Sequence, residues 1–332
     1  MKNYKLAVVG ATGLVGRKAL EVLEEYKLPI SEYVFFASER SAGSKLEFNG
    51  KEYEVQLLTE NSFDQGFDFA IFSAGGDTSR HFAPIAAEKG CIVVDNSSAW
   101  RMDPEVPLVV PEVNPEDIKW NKGIIANPNC STIQAVLPLK VLDDKYKIKR
   151  IVYSTYQAVS GAGKKGVDDL ENGLKGEKPQ KFPHPIVNNC LPHIDVFLDN
   201  GYTKEEEKMI NETRKILNHP DLKITATCVR VPVLNSHSES INVEFEKEFD
   251  IEELKNVLKS GTNIIVEDDP ENNVYPLAAN VTGHDEVYVG RIRRDFSVEN
   301  GINFWCVGDN IRKGAASNAI QIVEKLIEYD NK

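Results

Sequence analysis

Cys130 stands in Ile125-Ala126-Asn127-Pro128-Asn129-Cys130-Ser131-Thr132, where a short apolar run ends in a turn of Asn and Pro and an apolar segment, Ile133 to Leu142, begins. That spacing puts the cysteine at or next to a helix N-terminus, whose unpaired N–H groups and dipole favour a thiolate over a thiol. The plainer reading is a buried structural cysteine. A second reactive type lies far downstream. Of six histidines (His81, His184, His193, His219, His237, His284), only His237 falls in a polar turn between strand-like runs, next to the run that bears Arg230. A thiolate and an imidazole together suit attack on an aldehyde carbonyl, hydride loss to a nicotinamide, and cleavage of the resulting thioester by a second nucleophile.

Such chemistry needs a nucleotide fold, and the N-terminal third has its pattern. Leu6 to Val9 is a continuous apolar run, as for a strand covered on both faces. Gly10-Ala11-Thr12-Gly13-Leu14-Val15-Gly16 follows and leads into a helix through Leu20, Val22 and Leu23. The glycines let backbone approach a pyrophosphate that the helix N-terminus then binds, although a tight turn without a ligand has the same outline. Tyr33 to Ala37 reads as the next strand and ends in Ser38-Glu39-Arg40-Ser41. An Arg flanked by hydroxyls there suits a 2′-phosphate and hence NADP, while Glu39 would suit ribose hydroxyls. Phe67 to Phe72 and Cys91 to Asp95 are further strands, with Asp77 as the expected cap of the helix between them. Repeated strand–turn–helix units imply a Rossmann-type, doubly wound parallel sheet. Arg101 follows the fourth strand and is a candidate anion ligand; its alternative is a surface Arg paired with Asp103 or Glu105.

Beyond Leu142 the pattern changes to an α+β domain with a mixed sheet. Ile151 to Val159, Ile224 to Val233, Ser240 to Phe249, Val287 to Arg293 and Ile302 to Val307 read as strands that follow one another without regular crossover helices. Gln157 sits near the end of the first. A proline-bearing loop, Lys175 to Pro192, is of the kind that covers sites or partners. Thr203 can cap a helix to about Leu217 that puts Glu205 and Lys208 on one face, where an ordinary surface ion pair is the simpler reading. A last helix, Ile311 to Tyr329, is expected to return to the nucleotide domain. The expected division is residues 1–128, completed by 310–332, for NADP binding, and 129–309 for catalysis and dimerisation.

Composition limits the partners. With 51 acidic and 39 basic residues in 332, the formal charge is −12, which argues against nucleic acid and shows no basic patch for a membrane surface. No run approaches the length of a membrane span, and the N-terminus reaches a glycine turn too soon for a signal peptide. The five cysteines (Cys91, Cys130, Cys190, Cys228, Cys306) form no C-x-x-C pair, so neither a disulfide framework nor a metal site is indicated and a reducing cytoplasm fits.

Four motifs in order resemble one family. Gly10 to Gly16, Asn127 to Thr132, Tyr156-Gln157-Ala158-Val159-Ser160-Gly161 and Arg230 to Glu239 are similar to the corresponding segments of bacterial aspartate-semialdehyde dehydrogenases, and the likeness extends over essentially the whole chain. The resemblance implies reversible conversion of L-aspartate 4-semialdehyde, phosphate and NADP⁺ to L-4-aspartyl phosphate and NADPH, run toward the semialdehyde in lysine (through diaminopimelate), threonine, methionine and isoleucine biosynthesis. It implies Cys130 as the acyl-thioester nucleophile, His237 as acid/base and Gln157 as the residue orienting substrate. It gives Arg230 the substrate carboxylate and Glu205 the amino group, with Glu206 and Glu207 as adjacent alternatives. Arg101 and Lys208 take phosphate, and Asn129 joins the substrate contacts. Gly10, Thr12, Gly13, Leu14, Val15, Ser38, Arg40, Ser41, Ser160, Gly161 and Asn310 become cofactor contacts, and the assembly a homodimer or dimer of dimers. The rival readings are an N-acetyl-glutamyl-phosphate reductase, whose Gly-Cys-Tyr-type turn is absent, and a non-catalytic NADP-binding paralogue.

Overall fold

Leu6, Ala7, Val8 and Val9 are wholly buried, as strand residues covered on both faces must be, and they form most of β1 (Tyr4–Val9). The computed structural model describes residues 3–331, so Met1, Lys2 and Lys332 lie outside it. The chain divides into two units, Met1–Asn129 with Ala315–Lys332, and Cys130–Gly314.

In the first unit β1 leads through the glycine turn to α1 (Leu14–Tyr26) and β2 (Ile30–Ala37). A hairpin that the sequence did not announce, β3 (Lys45–Phe48) with β4 (Lys51–Glu54), precedes the short β5 (Gln56–Leu57). Then come β6 (Phe69–Phe72), α2 (Gly76–Glu88), β7 (Ile92–Asp95) and β8 (Ile124–Ala126). The sheet runs β5-β2-β1-β6-β7-β8 with every pair parallel. Strand order reverses at β1, so Gly10, Ser38 and Ser73 end neighbouring strands at the position where such sheets bind ligands. Gly10 has φ +83°, and a Cβ there would lie 2.4 Å from the Ser73 carbonyl oxygen. At Gly16 a Cβ would lie 2.1 Å from the Gly10 oxygen. These two positions admit only glycine, because strand and helix backbones touch there.

The cap of α2 departs from expectation. Gly75, at φ +89°, is the N-cap, and Asp77 lies inside the first turn bonded to Arg80. The C-terminal helix (Asn318–Asp330) packs Ile320, Val323 and Leu326 into the same core as Leu6, Phe35 and Ile71. Asn318 Nδ2 donates to the Val109 carbonyl at 3.0 Å and to Asn127 Oδ1 at 2.7 Å.

In the second unit α3 (Cys130–Tyr146) is followed by β9 (Ile148–Gln157), α4 (Lys164–Gly173), α5 (Lys204–Ile216), β10 (Lys223–Arg230) and β11 (His237–Phe245). The rest comprises α6 (Ile251–Lys259), β12 (Ile264–Val266), α7 (Ala278–Val281), β13 (Val287–Asp295) and β14 (Gly301–Gly308). The sheet order is β10-β9-β11-β14-β13-β12, parallel only at its two outer pairs. Period-two alternation sends Thr155, Gln157, His237, Glu239 and Cys306 to the buried face. The opposite face keeps Tyr156 and Trp305 partly exposed, ring centroids 5.4 Å apart. Thr203 caps α5 in a reciprocal box with Glu206. Among the described residues no helix is long and apolar enough to cross a membrane.

Replacing Asn318 by Ala strips a buried donor from Val109 and Asn127. Urea unfolding should show a loss of about 1–3 kcal/mol.

Candidate active site

Each unit contributes a distinct cluster. In the first, a cleft of about 530 Å³ is lined by Gly10, Thr12, Gly13, Ser38, Arg40 and Ser41, with Glu39, Ser73 and Ala74 beside them. Gly13 is the N-cap of α1 and offers no side-chain oxygen to the first-turn amides, so those donors face an anion without competition. Arg40 is exposed and, among the described residues, makes no ion pair, a donor set that fits a 2′-phosphate. Leu14 and Val15 open α1. Arg101 is not a surface residue: at 7% exposure it donates Nε to the Asn127 carbonyl at 2.9 Å and Nη2 to the Asn96 carbonyl at 2.8 Å. Asn129, buried, closes this unit.

The second cluster surrounds the thiol. Cys130 is the first residue of α3, and its Sγ lies 3.3 Å from Nε2 of His237. His237 is not in a turn but starts β11, fully buried, with the Ala158 N–H donating to its Nδ1 at 3.0 Å. Burial, then the charge of Arg230, pushes its pKa down to about 3 against the opposing pull of Glu205. Arg230, at the end of β10, donates Nη1 to the Ala158 carbonyl at 2.6 Å. Its pKa is lowered by burial, with Glu205 acting in the other direction.

Gln157 is oriented from both ends: its Oε1 accepts the Thr155 hydroxyl at 3.0 Å and its Nε2 donates to Glu205 at 3.1 Å. Glu205 also accepts Lys208 at 3.0 Å, and Lys208 reaches Asp195 at 2.8 Å. Burial alone would lower the Lys208 pKa, but Glu205 and Asp195 outweigh it and hold the ammonium above its ordinary value. The three consecutive glutamates have different partners. Glu206 bonds the Thr203 and Cys228 amides, Glu207 bonds Asn200 and Asn211, and Glu205 alone joins Gln157.

Ser160 and Asn310 are buried and bonded to each other at 3.1 Å, and Asn310 Oδ1 also accepts the Ser236 N–H at 2.9 Å. At Gly161 a Cβ would lie 2.9 Å from Arg230 Nη1 and 3.2 Å from His237 Nε2.

Three residues escaped sequence reasoning. Gly314 packs against the nucleophile, where a Cβ would come within 2.9 Å of Cys130 Cβ. Asp309 pins the chain before it, accepting the Ile311, Arg312 and Gly283 amides. Glu239 is fully buried two residues past His237, paired in register with Thr155 and Cys306, and neither carboxyl oxygen has a hydrogen-bond partner among the described residues. The one signal for it was an acid at an inward position of β11. Among the described residues no His, Cys, Asp or Glu cluster could hold a metal.

Residues 5–121 match the semialdehyde dehydrogenase NAD binding domain and residues 139–313 the semialdehyde dehydrogenase dimerisation domain. An aspartate-semialdehyde dehydrogenase of Aquifex aeolicus is 59% identical over 98% of both chains. The crystal structure of aspartate semialdehyde dehydrogenase II of Vibrio cholerae, complexed with ASA, superposes with a TM-score of 0.95 at 46% identity over 99% of both chains. That of the Candida albicans aspartate semialdehyde dehydrogenase with NADP does so at 0.77 and 27% identity over 98% of both. The chain belongs to the aspartate-semialdehyde dehydrogenase family.

Burial, then the charge of Glu205, raises the Glu239 pKa well above 4.5, so the native state keeps this acid protonated. Its stabilising contribution is complete below the unfolded pKa and is lost as pH rises toward the native one. In that window native stability should fall by up to about 1.4 kcal/mol per pH unit. Glu239→Gln does not titrate, so its advantage in urea midpoint over the unsubstituted protein should grow as pH rises above the ordinary carboxyl pKa of about 4.5 toward the native one.

Proposed function

We propose that the chain is an NADP-dependent aspartate-semialdehyde dehydrogenase, interconverting L-aspartate 4-semialdehyde, phosphate and NADP⁺ with L-4-aspartyl phosphate and NADPH. The observation that carries this reading is the thiol 3.3 Å from His237 with a buried Arg and a buried Glu close by. A thiolate suits an aldehyde, and a cation and an anion suit the carboxylate and ammonium of an amino acid. That argues against an N-acetylated substrate, whose nitrogen carries no charge for Glu205 to meet.

Cys130 attacks the aldehyde carbon to form a hemithioacetal. The residues assigned below to the cofactor would hold NADP, which would supply the hydride acceptor for this oxidation, and Cys130 carries the resulting acyl group as a thioester. Phosphate then cleaves the thioester. Arg230 binds the α-carboxylate through its planar fork, Glu205 meets the amino group, and Gln157 orients the chain between them. His237 meets the reacting carbonyl oxygen. Arg101 and Lys208 are assigned to phosphate and Asn129 to the substrate. Gly10, Thr12, Gly13, Leu14 and Val15 are assigned to the pyrophosphate, and Ser38, Arg40 and Ser41 to the 2′-phosphate. Ser160, Gly161 and Asn310 are assigned to the cofactor on the same family likeness. The match to a dimerisation domain and the open face bearing Tyr156 and Trp305 support a homodimer; solution mass would distinguish it from a dimer of dimers. Five cysteines outside any disulfide suit a cytoplasmic enzyme of amino-acid biosynthesis.

A phosphate-dependent assay of NADP⁺ reduction, with aspartate semialdehyde and N-acetyl-glutamate semialdehyde side by side, tests the reading. Turnover of the first alone supports it, turnover of the second overturns the roles of Glu205 and Arg230, and NADP binding without any turnover returns the non-catalytic paralogue. Cys130→Ala should lower turnover by at least roughly 10³-fold while leaving NADPH binding intact. Gly161→Ala, which wedges a methyl against two pinned side chains, should lower kcat/KM for the aldehyde by roughly 10–100-fold; unchanged kinetics would show that substrate does not use that space.

A further inference from the structure

The proline-bearing loop from Lys175 to Pro192 is irregular, but it is tied down near both ends. Near its start Asp169, buried on α4, accepts the Gln180, Lys181 and Phe182 amides, each at 2.8 Å. Burial opposes ionisation of this carboxyl, but the three N–H bonds outweigh it and hold its pKa below the ordinary value. Near the other end Leu191 pairs with Arg230 as an added antiparallel partner, N–H to carbonyl at 2.8 Å in both directions. Between the two anchors Phe182 turns inward. It packs on the cluster of Val159, Leu170, Ile186 and Leu191, while Lys181 and Pro183 on either side of it are exposed.

The same ring meets Arg230, whose guanidinium carbon lies over it, 5.9 Å from the centroid. The tip of the ring is 3.3 Å from where a Cβ of Gly166 would stand, so the α4 backbone supports it from behind. An aromatic face carries negative potential and a guanidinium is weakly hydrated, so the two associate without using the N–H groups that a carboxylate needs. Arg230 is thus held along one edge by the Ala158 carbonyl and over one face by Phe182. We propose that Phe182 is a positioning residue of the carboxylate subsite, its ring face holding the Arg230 fork rigid and away from water, and that Asp169 anchors Phe182 in that place. The proposal rests on the reading of Arg230 as the partner of the substrate α-carboxylate. It gives the loop a task that its irregular backbone conceals, since three amides and one strand-like pairing fix a ring that no helix or strand carries.

The test compares two aldehydes on the full-length protein. Phe182→Leu fills most of the same volume without a π face. It should raise KM for aspartate semialdehyde by roughly 3–30-fold, with a smaller change in kcat and none in KM for phosphate or NADP⁺. Phe182→Tyr, which keeps the ring, should recover most of the loss, and Asp169→Asn should shift KM in the same direction as the leucine variant. The second aldehyde is 3-aminopropanal, which lacks only the carboxylate. If Phe182 acts through Arg230, the preference for aspartate semialdehyde over 3-aminopropanal in kcat/KM should fall in Phe182→Leu by about the factor seen in KM. Equal losses on both aldehydes would make Phe182 a merely structural residue and overturn the proposal, as would an unchanged KM. Should the unsubstituted protein turn over neither aldehyde, NMR titration with L-2-aminobutyrate decides, because it offers the carboxylate and ammonium alone. Weaker binding to Phe182→Leu would then keep the inference while the proposed function falls, and equal binding, or no binding to the unsubstituted protein, would end both.

Discussion

The bond from the Ala158 amide to His237 holds the thiol cluster in register, because two strings of hydrogen bonds converge on the end of β9. One runs from Arg230 through the Ala158 peptide and His237 to Cys130. The other runs from Lys208 through Glu205 and Gln157 to Thr155. Thr155, Gln157 and Ala158 are consecutive or nearly so, so one strand end carries both strings. In a site where His237, Gln157, Glu205 and Arg230 are all buried, each link fixes the next. Removing one strands a polar or charged partner away from water, which is more damaging than the loss of a single bond.

Burial also sets which groups can react. Desolvation pushes Cys91 up to about 12 and raises Cys228 and Cys306 as well, so these thiols stay protonated. Cys130 differs by position, since it begins a helix and lies 3.3 Å from Nε2 of His237. The overall charge of −12 has little bearing on an anionic substrate here. Local cations matter more, because low dielectric strengthens Arg230 and Lys208 at short range while the remaining surface charges are screened. Glu239 fits the same logic from the other side. A second ionised carboxyl near Glu205 would oppose the substrate cation-and-anion pair, and burial keeps it neutral.

Much of this was readable from sequence where chemistry is concentrated in a few consecutive residues. The glycine turn after β1 and the turn before Cys130 each combine an apolar strand, breakers and a helix start, and both fold as that pattern implies. What was not readable depends on contacts across long separations. Nothing local to Gly314 shows that it lies against Cys130, and Asp77 looks like a cap until Gly75 adopts a positive φ ahead of it. The hairpin β3–β4 was missed because two of the four residues of β3 and three of the four of β4 are charged, and such short strands carry too few alternations to register. Arg101 resembled a surface residue because Asp103 and Glu105 follow it, whereas its guanidinium turns inward to two main-chain carbonyls.

The placement of His237 shows how a sequence that reads as a turn can deliver a rigid side chain. Ser236 has φ +68°, a strained conformation for a residue with a Cβ, costing of order 1–3 kcal/mol. Its N–H is taken by Asn310, and its hydroxyl pairs with Thr282 at 2.8 Å. Those bonds hold the reversal, and the next residue enters β11 opposite Gly308. Gln134 then donates to the His237 carbonyl at 3.2 Å. The imidazole thus projects from the first residue of a central strand, not from a loop, and cannot swing to present its other nitrogen to the sulfur. Ser160, whose hydroxyl bonds Asn310, belongs to the same brace, so residues matched to cofactor contacts also fix the imidazole. An imidazole fixed in this way needs no reorganisation when charge develops in front of it, which is the condition under which a single polar contact contributes most to rate.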